Sequence, residues 1–267
     1  MIGLAGLKFD FSGGLVASSL NSGEARLAVR YASCELNSFP PWLDAVAAAH
    51  QAVVAAALCS AVVAEMKHPD RETVMFGVLA KLSRAGDAVR AAVAPCVAQQ
   101  LQDDEPLSVQ ALVYALEVVG GESTVARGGL EALAQERCRR AIGEPRRFAA
   151  WWAGWLSWGA TGALGLLEEI VGGSIPEAAY KVVLEICHHI HERTESLPTR
   201  LLPAVQRPEV LKRLIPLVYG HIRPDDVIEH EGLYCPDQRD HAQGVRRKLV
   251  SWLAAVPALP GLAWHQT

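Results

Sequence analysis

Apolar positions recur every three or four residues along nearly the whole chain, in segments of about 12 to 18 residues closed by Gly, Pro or Asp. That period predicts helices over Ser22–Asn37, Pro41–Ala49, Ala52–Met66, Arg71–Arg84, Asp87–Gln102, Ser108–Val119, Thr124–Ile142, Pro145–Trp158, Gly162–Val171, Pro176–Arg193, Pro208–Tyr219 and Asp237–Val256. The breaks are spelled out as NSFPP, KHPD, RAGD, QDDEP, VGGES, GEP, VGGS and AVPALPG. Proline near a first helical turn suits its missing N–H, and glycine after a last turn supplies a left-handed cap. Only GLKFDFSGGL, residues 6–15, has strand character, so residues 1–21 are expected to be irregular or extended. IRPDDVIEHEGLYCPDQ, residues 222–238, reads as a long loop before the last helix.

One segment admits three readings. FAAWWAGWLSWGATGALGLL, residues 148–167, is uncharged and about as long as a bilayer span, with Arg146 and Arg147 before it and Glu168 and Glu169 after. Its tryptophans, Trp151, Trp152, Trp155 and Trp158, crowd the first half instead of forming a belt at each end, and Gly154, Gly159, Gly162 and Gly165 weaken a solitary span. GATGALG, residues 159–165, is similar to the nucleotide-binding turn of the extended short-chain dehydrogenases. A helical pattern precedes it where that family has a strand, and no Tyr-x-x-x-Lys pair follows. The third reading is a helical hairpin: Phe148, Trp151, Trp152, Trp155 and Leu156 form one stripe, Gly159 to Gly162 turns the corner, and Leu164, Leu166, Leu167 and Ile170 pack back. We expect the hairpin. A weak internal echo accompanies it, since laying Trp42 on Trp152 sets Val46 on Leu156 and Val54 on Leu164.

Composition strengthens the helical reading. Alanine runs such as AVAAAHQAVVAAAL (Ala45–Leu58) favour helix, and 51% hydrophobic residues supply a core for one domain spanning 1–267. A net charge of -4 argues against a surface built throughout for phosphate backbones, so nucleic acid is not the expected partner. The cysteines Cys34, Cys59, Cys96, Cys138, Cys187 and Cys235 are scattered without a Cys-x-x-Cys pair, the usage of a reducing compartment. MIGLAGLKFDF is interrupted by Lys8 and Asp10 and lacks the pattern of a secretory signal, so the expected location is a cytoplasm, with no membrane span.

Candidate chemistry is sparse. In CHHIHE, residues 187–192, Cys187 and His191 lie one turn apart and His188 and His191 are three residues apart, a spacing that can place metal ligands on one helix face. A further ligand would have to come from far along the chain, from His221, His230, Cys235 or His241, and spacing nominates none of them. The plainer reading turns Ile186, Cys187 and Ile190 to the core and leaves the histidines at the helix's negative end. Arg137, Arg139, Arg140, Arg146 and Arg147 form a basic stretch that could grip an anion or an acidic partner, or simply be a solvated helix end. No P-loop, Gly-x-Ser-x-Gly elbow, His-Glu-x-x-His or kinase signature occurs, which moves the balance from enzyme to binding protein. No cofactor is expected.

The Trp-led helices, the corner WLSWGATGALGLLEEI (Trp155–Ile170) and the stretch YCPDQRDHAQGVRRKLVSWLAAVP (Tyr234–Pro257) resemble the divergent HEAT-like or TPR-like helical repeat regions of large uncharacterised bacterial proteins, some of which carry a STAND or NACHT-type NTPase and are associated with anti-phage defence. The resemblance implies an all-α solenoid of stacked antiparallel helix pairs, used to recognise a protein or ligand within a larger assembly. It also implies that this chain, which has no NTPase motif, is a piece or a companion of such an assembly. It supplies no catalytic residues. The competing expectation is a metal-dependent helical enzyme built on Cys187, His188 and His191.

Overall fold

In the computed structural model the apolar period is realised as helix after helix. The structure describes residues 4–68, 77–120, 124–158, 161–196, 201–224 and 236–256, and among them every regular element is an α-helix or a short 3-10 turn. The expected all-α class is therefore observed. In chain order the helices are α1 (Leu4–Ser12), α2 (Ser22–Ser33), α3 (Trp42–Ala49), α4 (Gln51–Met66), α5 (Val78–Ser83), α6 (Asp87–Asp103), α7 (Val109–Val119), α8 (Thr124–Arg140), α9 (Pro145–Ser157), α10 (Gly162–Gly173), α11 (Pro176–Ser196), α12 (Leu201–Val205), α13 (Pro208–His221) and α14 (Gln238–Ala255). Internal contacts gather in two compact units, Met1–Arg137 and Cys138–Thr267.

The N-terminal expectation is corrected. Leu4–Ser12 is helical, and Ala17–Ser19 forms a 3-10 turn. Leu7 and Phe11 are four residues apart and share one helix face, and the Phe11 ring stacks on Trp42 with centroids 5.2 Å apart and planes within 1°. Gly14, at φ +100°, closes the helix: its N–H and that of Leu15 donate to the carbonyls of Phe11 and Asp10. Of the other expectations, residues 71–76 of the Arg71–Arg84 helix and residues 225–235 of the loop lie outside the described residues.

In the first unit, α4 packs on α2 and α6, α3 on α6, and α5 on α7. Helix α4 offers a seam of Val54, Leu58, Val62 and Met66 to this core, with half-buried or exposed residues on its flanks. Two helix starts here carry glycine where a capping side chain is usual, and the cap comes from elsewhere. Asp44 of α3 accepts from Val89 N–H of α6 at 3.1 Å. Glu65 of α4 accepts from Val78 and Leu79 N–H of α5 at 2.5 and 3.1 Å. A Cβ on Gly86 would collide with the Asp44 carboxylate, and one on Gly77 with that of Glu65. Burial nonetheless raises the Glu65 carboxyl above its ordinary value, the backbone donors and Lys81 pulling the other way.

In the second unit, the tryptophan segment is the expected hairpin, broken between α9 and α10, with Gly159 and Ala160 of its corner outside the described residues. The predicted stripe understates its burial: every residue from Phe148 to Leu156 is buried, so α9 is enclosed all round, by α10, α11 and α12. Trp152 Nε1–H donates to the Ala163 carbonyl at 2.9 Å and joins the two arms. Gly162 is required at the start of α10, since a Cβ would sit 2.9 Å from the Trp155 ring. Among the described residues no single helix is long and apolar enough to cross a membrane; α3 and α4 reach that length only together, across a 114° bend.

Candidate functional site

Polar chemistry concentrates where α11 meets α14 in the second unit. Helix α11 buries Ile186, Cys187 and Ile190, which leaves His188 and His191 on its flank. Helix α14 starts under a reciprocal cap: Asp237 Oδ1 accepts from Arg239 and Asp240 N–H at 2.8 and 3.1 Å, and the Asp240 carboxylate accepts from Asp237 N–H at 2.8 Å. This cap sets the first turn, and His241 follows directly on it.

His241 lies against both α11 histidines. Its ring stacks on His191 with centroids 3.9 Å apart and planes within 12°, and on His188 at 5.2 Å and 5°. The two Nδ1 atoms of His188 and His241 are 3.0 Å apart. His188 Nε2 lies 3.3 Å from the Glu192 carboxylate; with a proton on that nitrogen, a neutral His188 leaves Nδ1 to accept from His241 Nδ1–H. The hydrogen bond from His188 holds the Glu192 carboxyl at about 2. Burial, with Arg193 adding to it, pushes His189 down to about 3, so that ring is neutral. The result is a chain of carboxylate, imidazole and imidazole joined through ring nitrogens.

The seam extends beyond the histidines. Gln238 donates to Glu185 at 3.1 Å, and Lys248 donates to the Thr194 hydroxyl at 3.2 Å. Residues 185, 188 and 194 thus face 238, 241 and 248 in the same order, so α11 and α14 run parallel. Of the distant partners considered from sequence, the structure brings His241 to His188 and His191. His221 instead donates from Nδ1 to the Leu217 carbonyl at 2.9 Å, and His230 and Cys235 lie outside the described residues.

Cys187 faces the core, where burial pushes its thiol up to about 12 and disfavours the thiolate that metals bind. Among the described residues no group of three His, Cys, Asp or Glu side chains is placed to hold a metal ion.

The arginines of the basic stretch engage separate acids instead of converging. Arg137 meets Glu105 at 3.4 Å in the first unit. In the second, Arg139 meets Glu169 at 3.9 Å, Arg146 meets Glu185 at 3.8 Å and Arg147 meets Glu144 at 3.3 Å. Arg140 also has a partner.

Sequence reasoning named no lining residues for a concavity; among the described residues the first unit has at least two that touch α1. One, of about 370 Å³, is lined by Lys8, Leu36, Phe39, Pro40 and Trp42 among others. The second, of about 310 Å³, is more apolar, lined by Leu7, Leu15, Leu20, Leu27 and Tyr31 with Asp10 and Glu24 as its charged groups. Leu27, in the middle of α2, is exposed at its side. Compared with protein-family models, curated proteins and solved structures, the chain has no match.

Proposed function

We propose that the chain is a non-catalytic helical scaffold that recognises a protein partner, its helices stacked in pairs in the HEAT-like or TPR-like manner, and that it is a piece or companion of a larger bacterial NTPase-centred defence assembly. The observation that carries recognition is the apolar concavity beside α1 and α2, with Leu27 exposed at its side. The ordering of helices by long polar ties supports a scaffold. Arg213 clasps Glu168 through two bonds of 2.7 and 2.8 Å, Arg207 donates to the Leu156 carbonyl at 2.9 Å, and Lys81 to the Ser33 carbonyl at 2.8 Å. The occupant that fits the concavity is a short apolar protein segment bearing a Lys or Arg, because Asp10 and Glu24 are its charged groups.

Panning a random peptide display library against the purified chain tests this. Enrichment of apolar peptides with an adjacent basic residue is expected, with binding lost in Leu27→Glu and weakened in Asp10→Lys at unchanged thermal stability. Enrichment of no such class, or binding indifferent to Leu27→Glu, would overturn it.

A second reading is a metal-dependent helical enzyme on the Cys187–His191 stretch, in which the imidazoles of His188, His191 and His241, rather than the core-facing Cys187, would turn their ring nitrogens to one point to take the ion. Elemental analysis decides it: stoichiometric zinc or iron lost on His191→Ala would replace the scaffold reading.

A further inference from the structure

We propose that Cys59 and Cys96 are a redox pair, which a hydroperoxide joins in a disulfide that fastens α4 to α6. The two helices pack against each other, and the Cys59 and Cys96 thiols interact across that contact. Cys59 sits at the edge of the Val54–Leu58–Val62 seam, and both thiols are half-buried, open enough for a small oxidant. The other described cysteines differ: Cys138 and Cys187 are fully buried, and Cys34 is exposed, its thiol donating to the Arg30 carbonyl of its own helix at 3.4 Å.

The backbone beside Cys96 is suited to the small adjustment that a disulfide's narrow geometry demands. Pro95 lies inside α6 and has no N–H to offer the carbonyl four residues back, so the turn that carries Cys96 is bound less tightly than a regular one. The roles of the sulfurs are unequal. Burial and the neighbouring sulfur push the Cys59 thiol up to about 12, which leaves little thiolate there, so Cys96 is the first to react.

The chemistry balances with hydrogen peroxide as oxidant. Cys96 sulfur attacks one peroxide oxygen, the O–O bond breaks, and the departing hydroxide takes up the thiol proton as water, leaving a sulfenic acid. Cys59 sulfur then attacks Cys96 sulfur; the S–O bond breaks as S–S forms, and the hydroxide leaves as water with the Cys59 proton. Two thiols and one peroxide give one disulfide and two waters. A thiol reductant reverses the bond.

The full chain is treated with hydrogen peroxide, denatured, alkylated and digested without reduction, and its peptides are identified by mass spectrometry. The expected product joins the Cys59 and Cys96 peptides, disappears with dithiothreitol, and leaves Cys34 alkylated. Oxidation should raise the thermal midpoint by several degrees, because the bond closes a long loop in the unfolded chain, and the rise should be absent in Cys59→Ser and Cys96→Ser. Recovery of both cysteines alkylated, their separate conversion to sulfinic acids, or Cys96 joined to another cysteine would each overturn the pair. A mapped Cys59–Cys96 bond with an unchanged midpoint would overturn the fastening of α4 to α6. The mapping needs no variant, so a substitution that fails to fold does not obscure the result.

Discussion

Trp42, Val46 and Val54 of the α3–α4 hairpin correspond in the internal echo to Trp152, Leu156 and Leu164 of the α9–α10 hairpin, and all are buried. Beyond those positions the two diverge. Helix α9 is enclosed on every side and its Trp152 indole is bonded to the opposite arm, whereas α4 buries one narrow seam and the Trp42 indole N–H finds no acceptor among the described residues. The first hairpin compensates with carboxylates, Asp44 and Glu65, lent to the starts of α6 and α5. The same hydrophobic template is therefore secured by close aromatic packing in one place and by charge at foreign helix ends in the other.

Substitutions can break this contrast. The largest effect is expected for Trp151→Ala, whose fully buried ring should cost about 3–5 kcal/mol in urea unfolding. Trp42→Ala should cost less, and equal losses would erase the distinction. Gly162→Ala drives a methyl against the Trp155 ring and should cost about 1–3 kcal/mol, much of it recovered when Trp155 is shortened to Leu in a double-mutant cycle. Asp44→Ala should cost about 1 kcal/mol through the lost cap on α6, with Asp44→Asn milder because an acceptor oxygen stays in place.

The Glu65 cap has a pH signature. Its carboxyl is raised in the folded state, so the folded chain holds that proton more tightly than the unfolded chain. Its stabilisation is fully present below the ordinary carboxylate value and is lost as pH rises through the raised one. Glu65→Gln should flatten that part of the stability profile, and a profile unchanged by the substitution contradicts the assignment. The smallest effect is expected in the second hairpin, where the half-exposed Glu168–Arg213 pair should yield no more than about 1 kcal/mol to Glu168→Ala.

Most of the helices were legible because their apolar residues recur at the helical period and their ends carry Gly and Pro. Helix α1 was not, since Leu7, Phe9 and Phe11 also alternate as a strand would, and only the seating of Phe11 on Trp42 shows which period prevails. Helix α12, with Pro203 inside five residues, was too short to show a period. In the candidate site, His188 and His191 were legible as neighbours on one helix. His241 was named only as one of four distant residues, because a seam between helices far apart in sequence leaves no local spacing to read. Glu192 was missed, having been read merely as the end of CHHIHE. The borrowed caps left only a negative trace, glycines Gly77 and Gly86 where Ser or Asp would be usual.

Those two glycines reverse a familiar engineering rule. Exchanging a glycine at a helix start for Asp or Ser ordinarily strengthens a protein, but at Gly77 and Gly86 the seat is already taken by a carboxylate from another helix. A newcomer would evict the visiting acid and sever a tie between distant parts of the chain, so an improvement made for one helix would loosen its neighbour.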